Sequence, residues 1–374
     1  MKNGKKKKII IFNPAANLYG TERGLMNFIK AIGDRFEVTV ILPETGPLVE
    51  QLRRLPFSCR IKIFPLAILV NSYSPLYYLF FLMYSLLNVG YFTLYIAVKK
   101  IDIVCTNSLL IPTPALIAWI LKRTHIWYIW EMSPRVALNR LCSRYIQTFS
   151  SAIICASHTI KTYLALPDST KVVYNPIDPA QYRIYAPARA RRDLALPQAA
   201  IVLTIIARIH PSKGQLEFLR SYHTILKKYP EVILLIVGDI GVKTLRNSMY
   251  KKNLLHFIRT HCPNNIRYVG ARNDIDKLLS ASDICIFPFC RIEPFGIALA
   301  EALSFQKRCL FPGSGGFKEI GTLFSQGEEL RQDTLEEAIL QCRTSKKETV
   351  KELFVPFALS VDYYTQAIEN ILAR

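Results

Sequence analysis

Acidic residues are scarce in this chain. Its 374 residues hold 28 Asp and Glu against 48 Lys and Arg, a formal net charge of +20. That excess points to anionic partners: phosphate-bearing ligands, an anionic membrane surface or nucleic acid. Nucleic acid is the weakest of the three, because there is no helix-turn-helix signal, no zinc-finger spacing and no RNA-binding aromatic signature. Cysteine lacks pattern. There are 9, an odd number, with no Cys-x-x-Cys. A disulfide framework and a clustered zinc site are thereby excluded, and the thiols read as reduced and mostly buried in a cytosolic protein. The G-x-G-x-x-G dinucleotide fingerprint is missing too. The apolar run behind the first lysines, in MKNGKKKKIIIFNP, is too short for a secretory h-region. It predicts a buried strand, with the lysines as a solvated tail or a contact to anionic lipid.

What is present is a long alternation of short apolar runs and helical patterns. Hydrophobic residues make up 51% and charged residues 20%, which excludes disorder over most of the length. Residues 9–13, 36–42, 101–107, 125–130, 151–157 and 171–175 read as buried strands. A second set covers 201–208, 232–239, 266–270, 283–288 and 307–312. Continuous Val/Ile/Leu runs of this kind belong to parallel sheets covered on both faces. The fold class predicted is α/β, with two Rossmann-like doubly wound domains. The length fits two domains of ordinary size. Residues 178–198, rich in Pro, Arg and Ala, mark the boundary. The domains then run 1–180 and 181–355. Residues 356–374 form a helix able to pack back on the first domain.

Residues 64–98 contain no charge at all, and the densest part is PLYYLFFLMYSLLNVGYFTLYIAV at 75–98. About 20 apolar residues suffice to span a bilayer. Against a span, the strand pattern resumes at Ile101, and the segment is rich in Tyr, Asn and Ser, which suit a membrane interface. A helix lying in the interface or lining a groove, a plain core helix and a true span all remain open.

Several stretches carry candidate chemistry. RIEPFGIALAEALS, residues 291–304, holds Glu293 and Glu301 eight positions apart. Pro294 suits a helix's first turn, so a helix is predicted from Phe295 to Ser304. Amides near Phe295, Gly296 and Ile297 would then form an anion site, with Gly296 admitting a phosphate closely. On a helix the two carboxylates would lie about 12 Å apart, and a carboxylate pairs well with vicinal hydroxyls. A capped helix with two ordinary acids explains the spacing equally well. In IIARIHPSKGQLEFL, residues 205–219, Arg208 and Lys213 follow a strand, where open α/β sheets bind ligands. They suit phosphate, or else are solvated turn residues. NPAANLYGTERGL (13–25) offers Gly20 in a turn before a helix, and NPID (175–178) reads as an interdomain turn.

Together and in this order, these motifs resemble glycosyltransferase family 4, retaining enzymes of the GT-B fold. The likeness covers nearly the whole chain and is strongest over 172–320. It is carried by VVYNPID, ARIHPSKGQLEFL, VGD, YVG, LLSASDICIFPFCRIEPFGIALAEALS and GSGGFKEI. The resemblance implies an acceptor-side first domain and a nucleotide-sugar-binding second domain facing it across a cleft. It implies Arg208, Lys213 and Glu293 as catalytic residues. Arg208 and Lys213 would hold the donor diphosphate, Glu293 the sugar and Glu301 the ribose. Phe295, Gly296 and Ile297 would offer amides, and Gly20 would face the diphosphate. Two positions depart from the family. Tyr19 stands where a glycine is usual, and Tyr128-Ile129-Trp130 precedes Glu131 where a histidine is usual. Tyr19, Trp130 and Glu131 are therefore acceptor-side candidates. No metal and no cofactor are expected: Asp274-Ile275-Asp276 mimics a metal-binding Asp-x-Asp, but in this place it is expected to cap a helix.

The expected partners are a nucleotide-sugar donor, a glycan or lipid-linked acceptor and an anionic membrane surface, without nucleic acid. The expected place is the inner face of the cytoplasmic membrane, as a peripheral protein. The role implied is bacterial surface polysaccharide or lipopolysaccharide synthesis. The alternatives are a transferase of glycogen or sucrose type with a soluble acceptor, and a noncatalytic partner in a membrane assembly complex.

Overall fold

The structure, a computed structural model, describes residues 6–69, 74–132, 136–241, 244–261, 264–344 and 350–373. The first lysines of the amino-terminal run and residues 70–73 of the uncharged stretch lie outside the described residues. Contacts divide the chain into two compact units, Met1–Pro176 with Val361–Arg374, and Ile177–Ser360.

The first unit is built on seven parallel strands: β1 (Lys7–Phe12), β2 (Phe36–Leu42), β3 (Cys59–Ile63), β4 (Ile103–Thr106), β5 (Thr124–Ile129), β6 (Ala152–Cys155) and β7 (Lys171–Val172). Their order is β3-β2-β1-β4-β5-β6-β7. The order reverses between β1 and β4, which pair from Ile9–Ile103 to Phe12–Thr106. The crevice beyond the carboxyl ends at such a reversal is where doubly wound sheets bind ligands. Helices Gly20–Ile32 and Val361–Leu372 cover one face, and Arg35 and Glu369 form an ion pair at 2.8 Å between their ends. The final helix thus belongs to the first unit, anchored by buried Tyr364 and Ile368.

The other face carries the helix Pro75–Lys99. Only Asn88, Phe92 and Ile96 of it are buried. Phe92 packs edge-on to Phe12 of β1 at 4.8 Å, and Asn88 bonds the backbone of Pro65 and Ala67. One stripe therefore lies along the sheet, while Leu79, Leu86 and Leu94 are 62%, 67% and 67% exposed. By length and composition the helix is able to cross a membrane, but the plain core reading does not hold, since a core helix would be buried all round. Against a span stands the packing of Phe92 and Ile96 on the β1–β4 layer.

The second unit holds six parallel strands: β8 (Ile201–Ile206), β9 (Val232–Val237), β10 (Ile266–Gly270), β11 (Ile284–Ile286), β12 (Arg308–Phe311) and β13 (Glu328–Glu329), ordered β10-β9-β8-β11-β12-β13. Here the order reverses between β8 and β11. β3 and β13 were not among the predicted strands: CRIKI alternates charge with apolar residues on an edge, and β13 is two glutamates long.

Candidate active site

At the β8–β11 reversal, two loops emerge side by side. After β8 the chain makes a single 3-10 turn, Pro211–Lys213, which ends in Gly214 with φ +68°. A side-chain carbon at Gly214 would sit 1.9 Å from the Pro288 carbonyl oxygen of the loop after β11. The glycine lets the loops touch, and the Cys290 amide donates to the Ser212 carbonyl at 3.1 Å. This pinning brings together residues 80 positions apart: Lys213 Nζ donates to Glu293 Oε2 at 2.7 Å. The ammonium also lies 4.1 Å from the centre of the Phe289 ring.

The Lys213 side chain is 13% exposed. Burial pushes its pKa down, Glu293 counteracts, and the nearby Arg208 charge lowers it further. His210 reports the same field. Its pKa is lowered by burial first and then by the charges of Arg208, Arg246, Lys213 and Arg291. Cations thus converge on one loop end, with Arg208 exposed and its backbone carbonyl accepting from the buried Gln215 side chain at 2.8 Å. Arg246 and Arg291 were not singled out in the sequence, because neither falls in a recognisable spacing.

The helix behind Glu293 starts later than predicted. It runs Ile297–Ser304 with Gly296 as N-cap, so Pro294 precedes the helix and is not in its first turn. Glu293 is therefore off the helix, and the helical rise does not set its separation from Glu301. The Gly296 carbonyl accepts from Leu299 and Ala300 at 3.0 and 3.1 Å. The amides of Ile297 and Ala298 have no intrahelical acceptor and mark the positive end of the helix. Gly296 is required by its φ of +97°, and a side-chain carbon there would sit 2.6 Å from the Phe317 ring. The glycine is therefore explained by its backbone conformation and by Phe317. The glycine-rich turn after β12 supports the opposite side: the Gly316 amide donates to the Glu293 carbonyl at 2.8 Å, and a side chain there would strike Phe295.

Glu301 is 4% exposed and accepts from the Tyr182 hydroxyl at 2.7 Å. Tyr182 was not foreseen, because it lies 119 positions away in the boundary stretch. Asp274 stands at the N-cap of helix Ile275–Ala281 but makes no capping hydrogen bond. It pairs with Arg272 at 2.8 and 2.6 Å instead, and Asp276 accepts from the Arg183 amide at 2.9 Å. Among the described residues no group of three His, Cys, Asp or Glu is placed to hold a metal ion.

In the first unit, the β1–β4 reversal carries its own polar chain. Trp130 Nε1 donates to Asn107 Oδ1 at 2.8 Å, and Asn107 Nδ2 to Asn13 Oδ1 at 2.7 Å. Trp130 is buried, stacked on Tyr128 at 4.3 Å, with its ring over Gly24. Its bulk fills the core beneath the loop. Glu131, half-buried, accepts from the Ser108 hydroxyl at 2.6 Å and the Leu109 amide at 3.2 Å. Burial raises its pKa against those bonds. Tyr19 caps the first helix, and its amide donates to Glu22 at 3.0 Å. Gly20 is exposed, and a side chain there would meet nothing within 4 Å. Its own packing does not demand glycine.

Residues 188–347 match the family "Glycosyl transferases group 1", and residues 19–181 match "Glycosyltransferase Family 4". A relative from Escherichia coli, a UDP-Gal:alpha-D-GlcNAc-diphosphoundecaprenol alpha-1,3-galactosyltransferase, is 25% identical over 324 residues, covering 80% of this chain and 77% of its own. Among solved structures, Anabaena Alr3699/HepE in complex with UDP and glucose superposes with a TM-score of 0.77 at 22% identity, covering 98% of this chain and 99% of that one. A glycosyltransferase from Rickettsia africae gives 0.70 at 18% identity, over 98% and 94%. With the two family matches together running from residue 19 to 347, the chain belongs to glycosyltransferase family 4 and is a glycosyltransferase of the GT-B fold.

Proposed function

We propose that this enzyme takes a sugar from a nucleoside diphosphate donor bound by the second unit. It passes the sugar, with retention at the anomeric carbon, to a lipid-linked glycan at the cytoplasmic face of the membrane. Surface polysaccharide or lipopolysaccharide synthesis is the setting. The observation that carries the reading is the Lys213–Glu293 pair at 2.7 Å, set among the Arg208, Arg246 and Arg291 charges.

Lys213 has three donors and spends one on Glu293, which leaves two for diphosphate oxygens. Arg208 adds a planar fork. The Ile297 and Ala298 amides supply fixed positive dipoles. These groups stabilise the charge that grows on the departing nucleoside diphosphate, and they are held in place before the reaction. The second Glu293 oxygen accepts from a sugar hydroxyl, and Glu301, oriented by Tyr182, takes the ribose hydroxyls. The acceptor hydroxyl attacks the face from which the diphosphate leaves. In the first unit, Gly20 faces the diphosphate, and Tyr19 and Glu131, at or near carboxyl-end loops, serve the acceptor side with Trp130 packed beneath.

The lipid-linked acceptor is supported by the exposed apolar face of Pro75–Lys99 and by the E. coli relative, whose name states a diphosphoundecaprenol acceptor. The same face supports peripheral placement on an anionic membrane. The test incubates purified protein with a panel of nucleotide sugars and a polyprenyl-diphosphate glycan. The expected product keeps the donor's anomeric configuration by NMR. An inverted product refutes retention, and absence of both transfer and nucleotide-sugar binding refutes the whole reading.

A further inference from the structure

The amino-terminal edge of the first sheet, the end away from Asn107 and Glu131, holds a cavity of about 1030 Å³. Its cations come from the starts of β1 and β7 and from the turn before β5: Lys7, Lys171, Lys122 and Arg123. One acid lines it, Asp102, whose carboxylate already accepts from the Lys8 amide at 2.7 Å. Among the described residues none of the four cations forms a salt bridge. Arg123 Nε is buried and has no hydrogen-bond partner among them. A buried donor left unmet is costly and calls for an acceptor.

A second hollow of about 430 Å³ shares Lys122, Arg123, Ser150 and Ser151 with this cavity and is also lined by Trp119, Ile120 and Phe149. Trp119 and Ile120 are 59% and 46% exposed, and Trp119 meets Phe149 edge-on at 5.6 Å. Their helix, Thr113–Ile120, packs beside Pro75–Lys99. An anion-seeking hollow thus opens onto an aromatic and apolar lip. Free inorganic phosphate uses only the first part, and an uncharged apolar ligand only the second. Trp at such a lip is typical of a membrane interface.

We propose that this cavity is a head-group site for an anionic membrane phospholipid. The phosphate sits among Lys122, Arg123 and Lys171, and the chains leave over Trp119 and Ile120. It shares no residue with the donor or acceptor candidates, and it would fix the enzyme's orientation on the surface. It rests on the membrane placement proposed above.

The test uses the full chain and dihexanoyl phosphatidylglycerol below its micelle concentration, with calorimetric detection. The expected affinity is at least tenfold higher than for dihexanoyl phosphatidylcholine or inorganic phosphate. The double variant Lys122→Gln/Lys171→Gln is expected to lose at least tenfold in that affinity, with an unchanged melting temperature and unchanged nucleotide-sugar binding. Arg123→Gln is expected to lose as much. Equal affinity for inorganic phosphate, equal affinity for phosphatidylcholine, or binding unaltered in the variants each overturns the proposal. A second arm floats the chain on phosphatidylglycerol vesicles. Leu79→Glu/Leu86→Glu should abolish flotation while keeping the short-chain lipid affinity. Loss of flotation by the wild-type chain itself would refute the membrane placement, whereas flotation without short-chain binding would refute only the head-group site.

Discussion

Replacing Glu293 by glutamine removes one charge and keeps the shape. Lys213 then remains an ammonium with a side chain 13% exposed and no carboxylate beside it. Stripping one partner from a fully buried pair costs about 3–5 kcal/mol. Here Glu293 is 22% exposed, and the amide oxygen still accepts from Nζ, so the lower range applies, about 2–3 kcal/mol. For a unit of this size each kcal/mol moves the melting temperature by about 2–4 °C, so a fall of about 8 °C is expected. The pH dependence gives the sharper check. Burial holds the Lys213 pKa below its ordinary 10.5, and Glu293 opposes that lowering. Without Glu293 the folded-state pKa falls further. Between the folded pKa and 10.5 the unfolded chain binds a proton that the folded chain does not, so stability rises with pH across that window. The variant has the wider window, so its deficit relative to the wild type should shrink as pH is raised from about 7 to about 10. Urea midpoints for both proteins across that range measure it. A deficit that stays constant or grows with pH, or no deficit at pH 7, would show that the pair does not shield a desolvated ammonium.

The other expectations are simpler. Gly296→Ala should cost about 3 kcal/mol in urea denaturation, since its φ of +97° is strained for any side chain and Phe317 occupies the space. Tyr182→Phe should weaken nucleoside diphosphate affinity about fivefold by calorimetry, through loss of roughly 1 kcal/mol of orientation at Glu301, with kcat almost unchanged. Leu79→Glu/Leu86→Glu should cut vesicle retention at least about tenfold without lowering the melting temperature, because both side chains are exposed and each buried leucine is worth about 1.5–3 kcal/mol. Transfer should continue in excess EDTA, because Arg208, Lys213 and the helix amides supply the positive charge at the leaving group.

The sheets were largely legible because strands buried on both faces leave continuous runs such as VILLIV, with no charge to interrupt them. β3 escaped because half of CRIKI faces water on an edge, and β13 because two residues form no pattern. In the candidate active site, Arg208, Lys213 and Glu293 stood in recognisable spacings, and chain topology brings Lys213 and Glu293 into contact. What escaped was whatever depends on partners far along the chain. Tyr182 reaches Glu301, Phe317 fills the place beside Gly296, and Arg246 and Arg291 add charge at His210. The start of the Ile297–Ser304 helix was misplaced because Pro294, which suits a first turn, stands two positions before the Gly296 cap. A long uncharged run said only that residues 75–98 avoid charge, and the exposed outer face of the helix became visible once its buried stripe was known.

The central claim is that the second unit grips a diphosphate through Arg208 and Lys213. Calorimetric titration of a panel of nucleoside diphosphates into the wild-type chain and the Arg208→Ala/Lys213→Ala variant tests it most directly. Two charge-assisted contacts at about 1.5–3 kcal/mol each predict at least about a hundredfold loss of affinity for the preferred nucleotide. Equal affinity in the folded variant, or no nucleotide binding by the wild type, would contradict it.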